Sequence, residues 1–383
     1  MTAIKNARVV LEYEIIENGV ILIDGDRITA VGRADEVAIP ESASVYDAKG
    51  AYAGPGFIDI HVHGGNGHFF YEDPLAAAEF FLSHGETTVL PTLYYDLTKE
   101  EFLASIERVK AAMGQGMAGN AIGGFYMEGP YMNPKYGAQL ENNKWRGEIK
   151  AEDYNEVVEA AGKHAKVWAI APEREGLEPF LTKAKLVNPE VVFAVGHSEA
   201  TPAQVKALKK YGIGLQTHCM DATGRVTPAS GGTRSCGPDE ACLMDKDIYC
   251  EMICDSQAIH VPADLQEFIL FVKGIDKVVL ISDSYVSDEP TPPEFAHIID
   301  LQFDPSGGLC GSKLTLDTAC ANVMKHTGCS VNDAFLMASR NPARAIGMGS
   351  ELGSIAVGKR ADIVIVDDGF NVENVMLKGN FIK

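Results

Sequence analysis

Eight short apolar runs, separated by stretches of helical character, constrain this chain more than any other feature. They are Phe57 to His63, Thr87 to Leu93, Ile122 to Glu128, Val167 to Ala171, Val191 to His197, Ile213 to His218, Ile248 to Asp255 and Lys277 to Asp283. Such continuous apolarity belongs to parallel strands buried on both faces, and parallel strands need crossover connections. Pro74 to His84, Lys99 to Met113, Ala151 to Gly162, Pro202 to Tyr211 and Pro262 to Val272 read as those helices, three of them opening on a proline suited to a first helical turn. The pattern predicts an α/β fold, a (β/α)8 TIM-like barrel over residues 54–344, with its active site at the C-terminal strand ends. Short β-rich segments flank it: Ala7 to Tyr13, Gly19 to Ile23 and Arg27 to Val31 before, Ala361 to Val366 and Asn374 to Ile382 after. Residues 1–53 and 345–383 are therefore expected to pair into one small β-sandwich domain.

The first run carries His61 and His63. Strand side chains alternate faces, so the two imidazoles point the same way and can serve one metal ion. A His-x-His pair is equally compatible with two hydrogen-bonded core histidines, and the other strand ends separate the readings. Glu128 ends the third run, His197 the fifth, His218 the sixth and Asp283 the eighth. A core that merely tolerated polar residues would scatter them. Nitrogen and oxygen ligands without thiolates suit Zn²⁺, Fe²⁺ or another first-row divalent ion.

Composition closes off other functions. The 383 residues suffice for one large domain and a smaller one, and 46% hydrophobic with 22% charged residues is ordinary for a globular protein. A net charge of −20 excludes a surface for nucleic acid or anionic membrane, and obliges an anionic substrate to find a local cation. No apolar run approaches the ~20 residues of a membrane span, and Met1-Thr2-Ala3-Ile4-Lys5 lacks the apolar centre of a signal peptide, so the cytoplasm is the expected location. The eight cysteines contain no Cys-x-x-Cys pair and are expected to be reduced, with Cys250 and Cys254 in the core. Gly64 to Gly67 and Gly231-Gly232 lack the spacing of a dinucleotide site.

Pro55-Gly56-Phe57-Ile58-Asp59-Ile60-His61-Val62-His63-Gly64, Met127-Glu128-Gly129-Pro130, Gly196-His197-Ser198, Thr217-His218, Ser282-Asp283 and the tail Gly353 to Asp367 together resemble the amidohydrolase superfamily. More narrowly, with Leu90-Pro91-Thr92, Gly311 to Asp317 and Ala338 to Ala343, the chain resembles its N-acetylglucosamine-6-phosphate deacetylase family over nearly its whole length. In that family a glutamate followed by Gly-Pro on the third strand replaces the carboxylated lysine that many relatives carry on the fourth. The resemblance implies a divalent metal held by Glu128, His197 and His218. His61 and His63 can complete a second site, so one or two ions are expected. It also implies Asp283 as general base and acid, close enough to the metal to be counted with its ligands.

The resemblance further implies an amino-sugar phosphate substrate. His260 would contact sugar hydroxyls or phosphate. The backbone at Asp221 and Ala222, with an arginine, would bind phosphate. Arg234 is the arginine whose position matches, with Arg225 second, and in the family this residue comes from the neighbouring subunit, which implies a homodimer. Three departures lie on the substrate side: Asp221-Ala222-Thr223 replaces Asn-Ala-Met, Gln139 replaces a histidine, and Ser284 to Pro293 replaces a run of small residues. Another N-acylated amino sugar, phosphorylated or not, is therefore an open alternative. A different amidohydrolase reaction is disfavoured by Glu128-Gly129-Pro130, and a non-catalytic scaffold by the filled ligand set. The other histidines are read as structural: His84 precedes Gly85 at a helix end, His164, His297 and His326 have no partner motif, and His68, though close enough to the first strand to line the mouth, is expected off the site.

Overall fold

The computed structural model describes residues 1–225 and 230–382. Among these, eight parallel strands follow one another in chain order around a barrel: β1 (Phe57–Val62), β2 (Glu86–Tyr94), β3 (Phe125–Glu128), β4 (Ala165–Ile170), β5 (Val192–Val195), β6 (Ile213–Gln216), β7 (Tyr249–Ile253) and β8 (Val278–Ile281). Each coincides with one of the eight apolar runs. Closure between β8 and β1 is made just past their ends, where Asp283 N–H donates to the His61 carbonyl (3.0 Å) and His63 N–H to the Ser284 carbonyl (2.9 Å). Tyr126, Trp168, Phe57 and Phe193 fill the barrel and its helical shell as fully buried side chains.

The outer helices include all five predicted, at Pro74–Ser83, Lys99–Ala112, Ala151–Ala161, Pro202–Leu208 and Ala263–Lys273. Pro74 and Pro202 occupy the first turn, whereas Pro262 is the N-cap, so its missing N–H lies outside the helix. The helices Leu177–Val187 and Leu316–Thr327 lack a starting proline and were not anticipated.

Strands Thr2–Val10, Ile15–Asp24, Arg27–Arg33, Ser44–Asp47 and Tyr52–Pro55 join Ile363–Val366, Val372–Leu377 and Asn380–Phe381 in one mixed sheet. Tyr52–Pro55 is the joint between the two chain ends: it runs parallel to Thr2–Val10 and antiparallel to Ile363–Val366. Ile4, Ile21, Ile363, Ile365 and Met376 then share one core. Phe335 wedges between Phe57 of the barrel and Phe370 of the tail, with ring centroids 5.6 and 5.3 Å away. A Cβ at position 54 would lie 2.2 Å from the Phe335 ring, so the sheet meets the barrel there only through glycine. No helix among the described residues is long and apolar enough to cross a membrane.

Candidate active site

The ordered ladders stop short of the residues that carry the chemistry. β5, β6 and β8 end at Val195, Gln216 and Ile281, and His197, His218 and Asp283 follow two residues later with φ of 43°, 21° and 46°. A side chain in that region costs about 1–3 kcal/mol, a strain that concentrates at functional sites. Here the turn breaks the pleat and swings each side chain over the barrel mouth, which is why the predicted strands overran by two residues.

The result is two ligand triads that share a carboxylate. Glu128, His197 and His218 form one, and His61, His63 and Glu128 the other. Glu128 Oε1 lies 2.8 Å from His197 Nε2 and 3.3 Å from His218 Nε2, while Oε2 lies 3.3 Å from His63 Nε2. Asp283 Oδ1 completes the group at 3.4 Å from His61 Nε2 and 3.3 Å from His63 Nε2. All six side chains are buried.

The far side of each ring decides what the near side can do. His197 Nδ1 donates to the Tyr136 carbonyl (3.1 Å) and His218 Nδ1 to the Asp221 carbonyl (3.2 Å). With Nδ1 committed to those carbonyls, Nε2 is the atom each ring has left for a ligand, and the two Nε2 atoms, 3.2 Å apart, converge on one point. His61 Nδ1 donates to Glu251 Oε2 (3.1 Å), and its Nε2 has no hydrogen-bond partner despite complete burial. Converging ring nitrogens with an outer acceptor behind each ring are the donor set of a divalent metal centre. Electrostatics agree. Burial disfavours charge on every member, yet the carboxylates pull His61 and His63 above the usual range and His218 to about 9, and the histidines hold Glu128 and Asp283 below theirs. The cluster calls for positive charge at its centre.

Above this floor opens a cavity of about 220 Å³, lined by Asp221, Ala222 and His260 on the β6–β7 side, by Gln139 from the loop after β3, and by Tyr94, Tyr95, Asp96, Tyr285 and Cys310 elsewhere. Among the described residues no lysine or arginine lines it. His260 is the residue there that can carry positive charge: Nδ1 faces the Asp255 carboxylate (3.1 Å) and Nε2 the Gly311 carbonyl (3.1 Å), both acceptors, which favours a proton on each nitrogen. Burial works against that charge, but Asp255 raises the pKa above its ordinary value.

The remaining expectations divide. Asp221 Oδ1 already accepts from Ala222 N–H (2.9 Å), occupying the backbone donor expected for phosphate. Gln139, at φ 48°, lends its Oε1 to Asn142 (2.6 Å). Arg234 is exposed and outside the cavity, and Arg225 is turned away onto Glu240, so a single chain brings neither arginine to the site. His68 lies outside the cavity lining and 4.0 Å from Asp73, in keeping with its expected place off the site. His84 caps its helix and pairs with Asp317 (3.0 Å).

Three acids around the site escaped the sequence reading. Glu251 is a lone acid inside the apolar β7 run, and Asp59 stands two residues before His61 on the same strand face, accepting from His61 N–H (3.1 Å). Both carried a signal, a carboxylate where a buried strand should have none. Asp96 follows two tyrosines at the end of β2 and carried none.

The Amidohydrolase family model matches residues 52–382. An N-acetylgalactosamine-6-phosphate deacetylase of Escherichia coli O157:H7 is 29% identical over 354 residues, covering 89% of this chain and 90% of that protein. The N-acetylglucosamine-6-phosphate deacetylase of Bacillus subtilis (strain 168) is 27% identical over 393 residues, covering 98% and 96%. Among solved structures, N-acetylglucosamine-6-phosphate deacetylase from Pasteurella multocida superposes with a TM-score of 0.84 at 25% identity, covering 99% of both chains. A mutant of the Mycobacterium smegmatis deacetylase in complex with N-acetyl-D-glucosamine-6-phosphate gives 0.82 at 27% identity, covering 99% and 98%.

Proposed function

The chain belongs to the amidohydrolase family, and on that footing we propose that it hydrolyses the amide of N-acetylglucosamine 6-phosphate, releasing acetate and glucosamine 6-phosphate. Residues 54–344 are the hydrolytic barrel, with 1–53 and 345–383 its flanking β domain. The observation that carries the reading is the pair of triads around Glu128 with Asp283 beside them. Glu128, His197 and His218 hold one divalent ion, and His61 and His63 with Glu128 can hold a second; Zn²⁺ or Fe²⁺ suits the donors. Such an ion, when bound, lowers the pKa of a coordinated water towards ~7 and polarises a carbonyl.

The protein's own groups do the rest. Asp283, kept ionised by His61 and His63, takes a proton from the attacking water and returns it to the nitrogen as the C–N bond breaks. Glu251 and the Tyr136 and Asp221 carbonyls hold the imidazoles in register. The imidazolium of His260, its two N–H groups taken by Asp255 and the Gly311 carbonyl, offers positive charge to the sugar phosphate, and Arg234 of a second subunit of a homodimer supplies the stronger phosphate grip, as a guanidinium can.

The similarity to an N-acetylgalactosamine-6-phosphate deacetylase favours the epimeric sugar as a second reading, with Asp221 and Gln139 at the sugar end as the residues that would decide. The deciding experiment is acetate release by the metal-loaded protein from both 6-phosphates and from unphosphorylated N-acetylglucosamine. A hundredfold preference for one phosphorylated sugar, about 2.7 kcal/mol of transition-state discrimination, is expected; release from none of the three refutes the reading.

A further inference from the structure

The end of the cavity opposite the sugar contacts is built from residues the proposed reaction does not use. Eight strands in a ring place β2 across the mouth from β6, so Tyr94, Tyr95 and Asp96 face Asp221, Ala222 and His260 over the metal floor. Tyr285, from the loop after β8, joins them. The Tyr94 and Tyr285 hydroxyls lie 2.9 Å apart, and both rings present edges to His63, with centroids 5.0 and 5.6 Å away. One hydrogen bond joins the two hydroxyls, so together the rings make a continuous wall beside His63.

Of the residues that line the cavity, two have a buried polar atom with no hydrogen-bond partner, Asp96 at Oδ1 and His63 at Nδ1. Burial, with Glu128 nearby and against the pull of Lys144, His63 and a hydrogen bond from Asn142, lifts the Asp96 carboxyl to about 7. An amide whose nitrogen carries the sugar towards β6 and β7 must direct its acyl substituent the other way. A methyl group there offers Asp96 nothing, whereas a hydroxyl on the α-carbon offers it a proton.

We propose that this end is the acyl subsite and that it selects a two-carbon acyl group bearing a hydroxyl, hydroxyacetyl over acetyl, through acceptance by Asp96 and exclusion of longer chains by Tyr94 and Tyr285. This rests on the amide-hydrolase reading above and narrows its substrate. The step stays balanced: the water oxygen bonds to the carbonyl carbon, the C–N bond breaks, the nitrogen takes the proton, and hydroxyacetate leaves. Sites built to hydrogen-bond a substrate hydroxyl discriminate strongly against the analogue lacking it.

The test compares kcat/KM for the N-hydroxyacetyl, N-acetyl and N-butanoyl forms of glucosamine 6-phosphate. The unaltered enzyme should favour hydroxyacetyl over acetyl at least tenfold. Asp96→Ala, with Asp96→Leu as a shape-keeping companion, should bring that ratio to within threefold of one, and Tyr285→Ala should raise butanoyl relative to acetyl at least tenfold. A ratio near one in the unaltered enzyme, or one that survives both Asp96 substitutions, overturns the proposal. If no acylated sugar is hydrolysed, the reaction itself has been misread, and calorimetric binding to the zinc-loaded protein then decides the subsite alone: hydroxyacetate should bind at least tenfold tighter than acetate, with the margin lost in Asp96→Ala, and equal binding or an unchanged margin refutes it.

Discussion

Replacing Glu251 by glutamine tests whether the metal centre is oriented from behind. Glu251 is fully buried, and its Oε2 accepts from His61 Nδ1 (3.1 Å) and from His218 N–H (3.2 Å), while Oε1 has no hydrogen-bond partner. An amide keeps the shape but has one accepting end. With its oxygen towards the two donors, its NH₂ group takes the place of Oε1 and is buried unpaired; reversed, three donors collide. Either way a charge-assisted bond worth ~1.5–3 kcal/mol becomes a neutral one worth ~0.5–1.5 kcal/mol, and His61 Nε2 loses basicity. Loss of such an outer partner typically weakens metal binding ~10–100-fold, or ~1.4–2.7 kcal/mol. The loss should fall on the ion held by His61, His63 and Glu128, while the ion held by Glu128, His197 and His218 weakens less than ~10-fold, since its two rings are anchored by carbonyls instead. Calorimetric zinc titration of the chelator-stripped protein resolves the two steps. Two steps unchanged, or weakened equally, would refute the reasoning.

Asp283→Asn should lower kcat by ~10²–10⁴-fold while zinc stoichiometry, measured by mass spectrometry of dialysed protein, stays at the unaltered value; retained turnover removes Asp283 from proton transfer. Because Asp255 raises His260 above its unfolded value of 6.5, its charge and its contribution to stability are fully present below pH 6.5 and fade as pH climbs through the raised folded pKa. The kcat/KM ratio for phosphorylated over unphosphorylated sugar should therefore fall with rising pH above neutrality, and a flat ratio excludes His260 as the cation. Asp221→Asn removes a negative charge from the cavity and should lower KM for the phosphorylated sugar several-fold with kcat little changed; a higher KM would show that Asp221 holds the sugar. Phe335→Ala should cost ~3–5 kcal/mol in chemical denaturation, since its ring fills the gap between Phe57 and Phe370; a loss below ~1 kcal/mol would mean that sheet and barrel do not depend on this wedge.

What the sequence settled by itself is what depends on local pattern and chain order. Continuous apolar runs specify buried parallel strands, the helical links force them to be neighbours in sequence, and that places each run's last residues at one mouth; hence His61, His63, Glu128, His197, His218 and Asp283 were legible before any coordinates. Tertiary structure alone decided which atoms of those residues meet. The left-handed turns at His197, His218 and Asp283 arise because mouth loops must bend back over the barrel, and no periodicity encodes a single residue's φ. Glu251 reaches His61 across 190 residues, and Tyr285 reaches Tyr94 across 191. Contacts of that range depend on ring closure between β8 and β1, a property of all eight strands together. Asp96 is the sharpest case. As a letter it is one more acid in a chain of net charge −20; only its place in a cavity, with one oxygen unpartnered, makes it a determinant of what the site accepts.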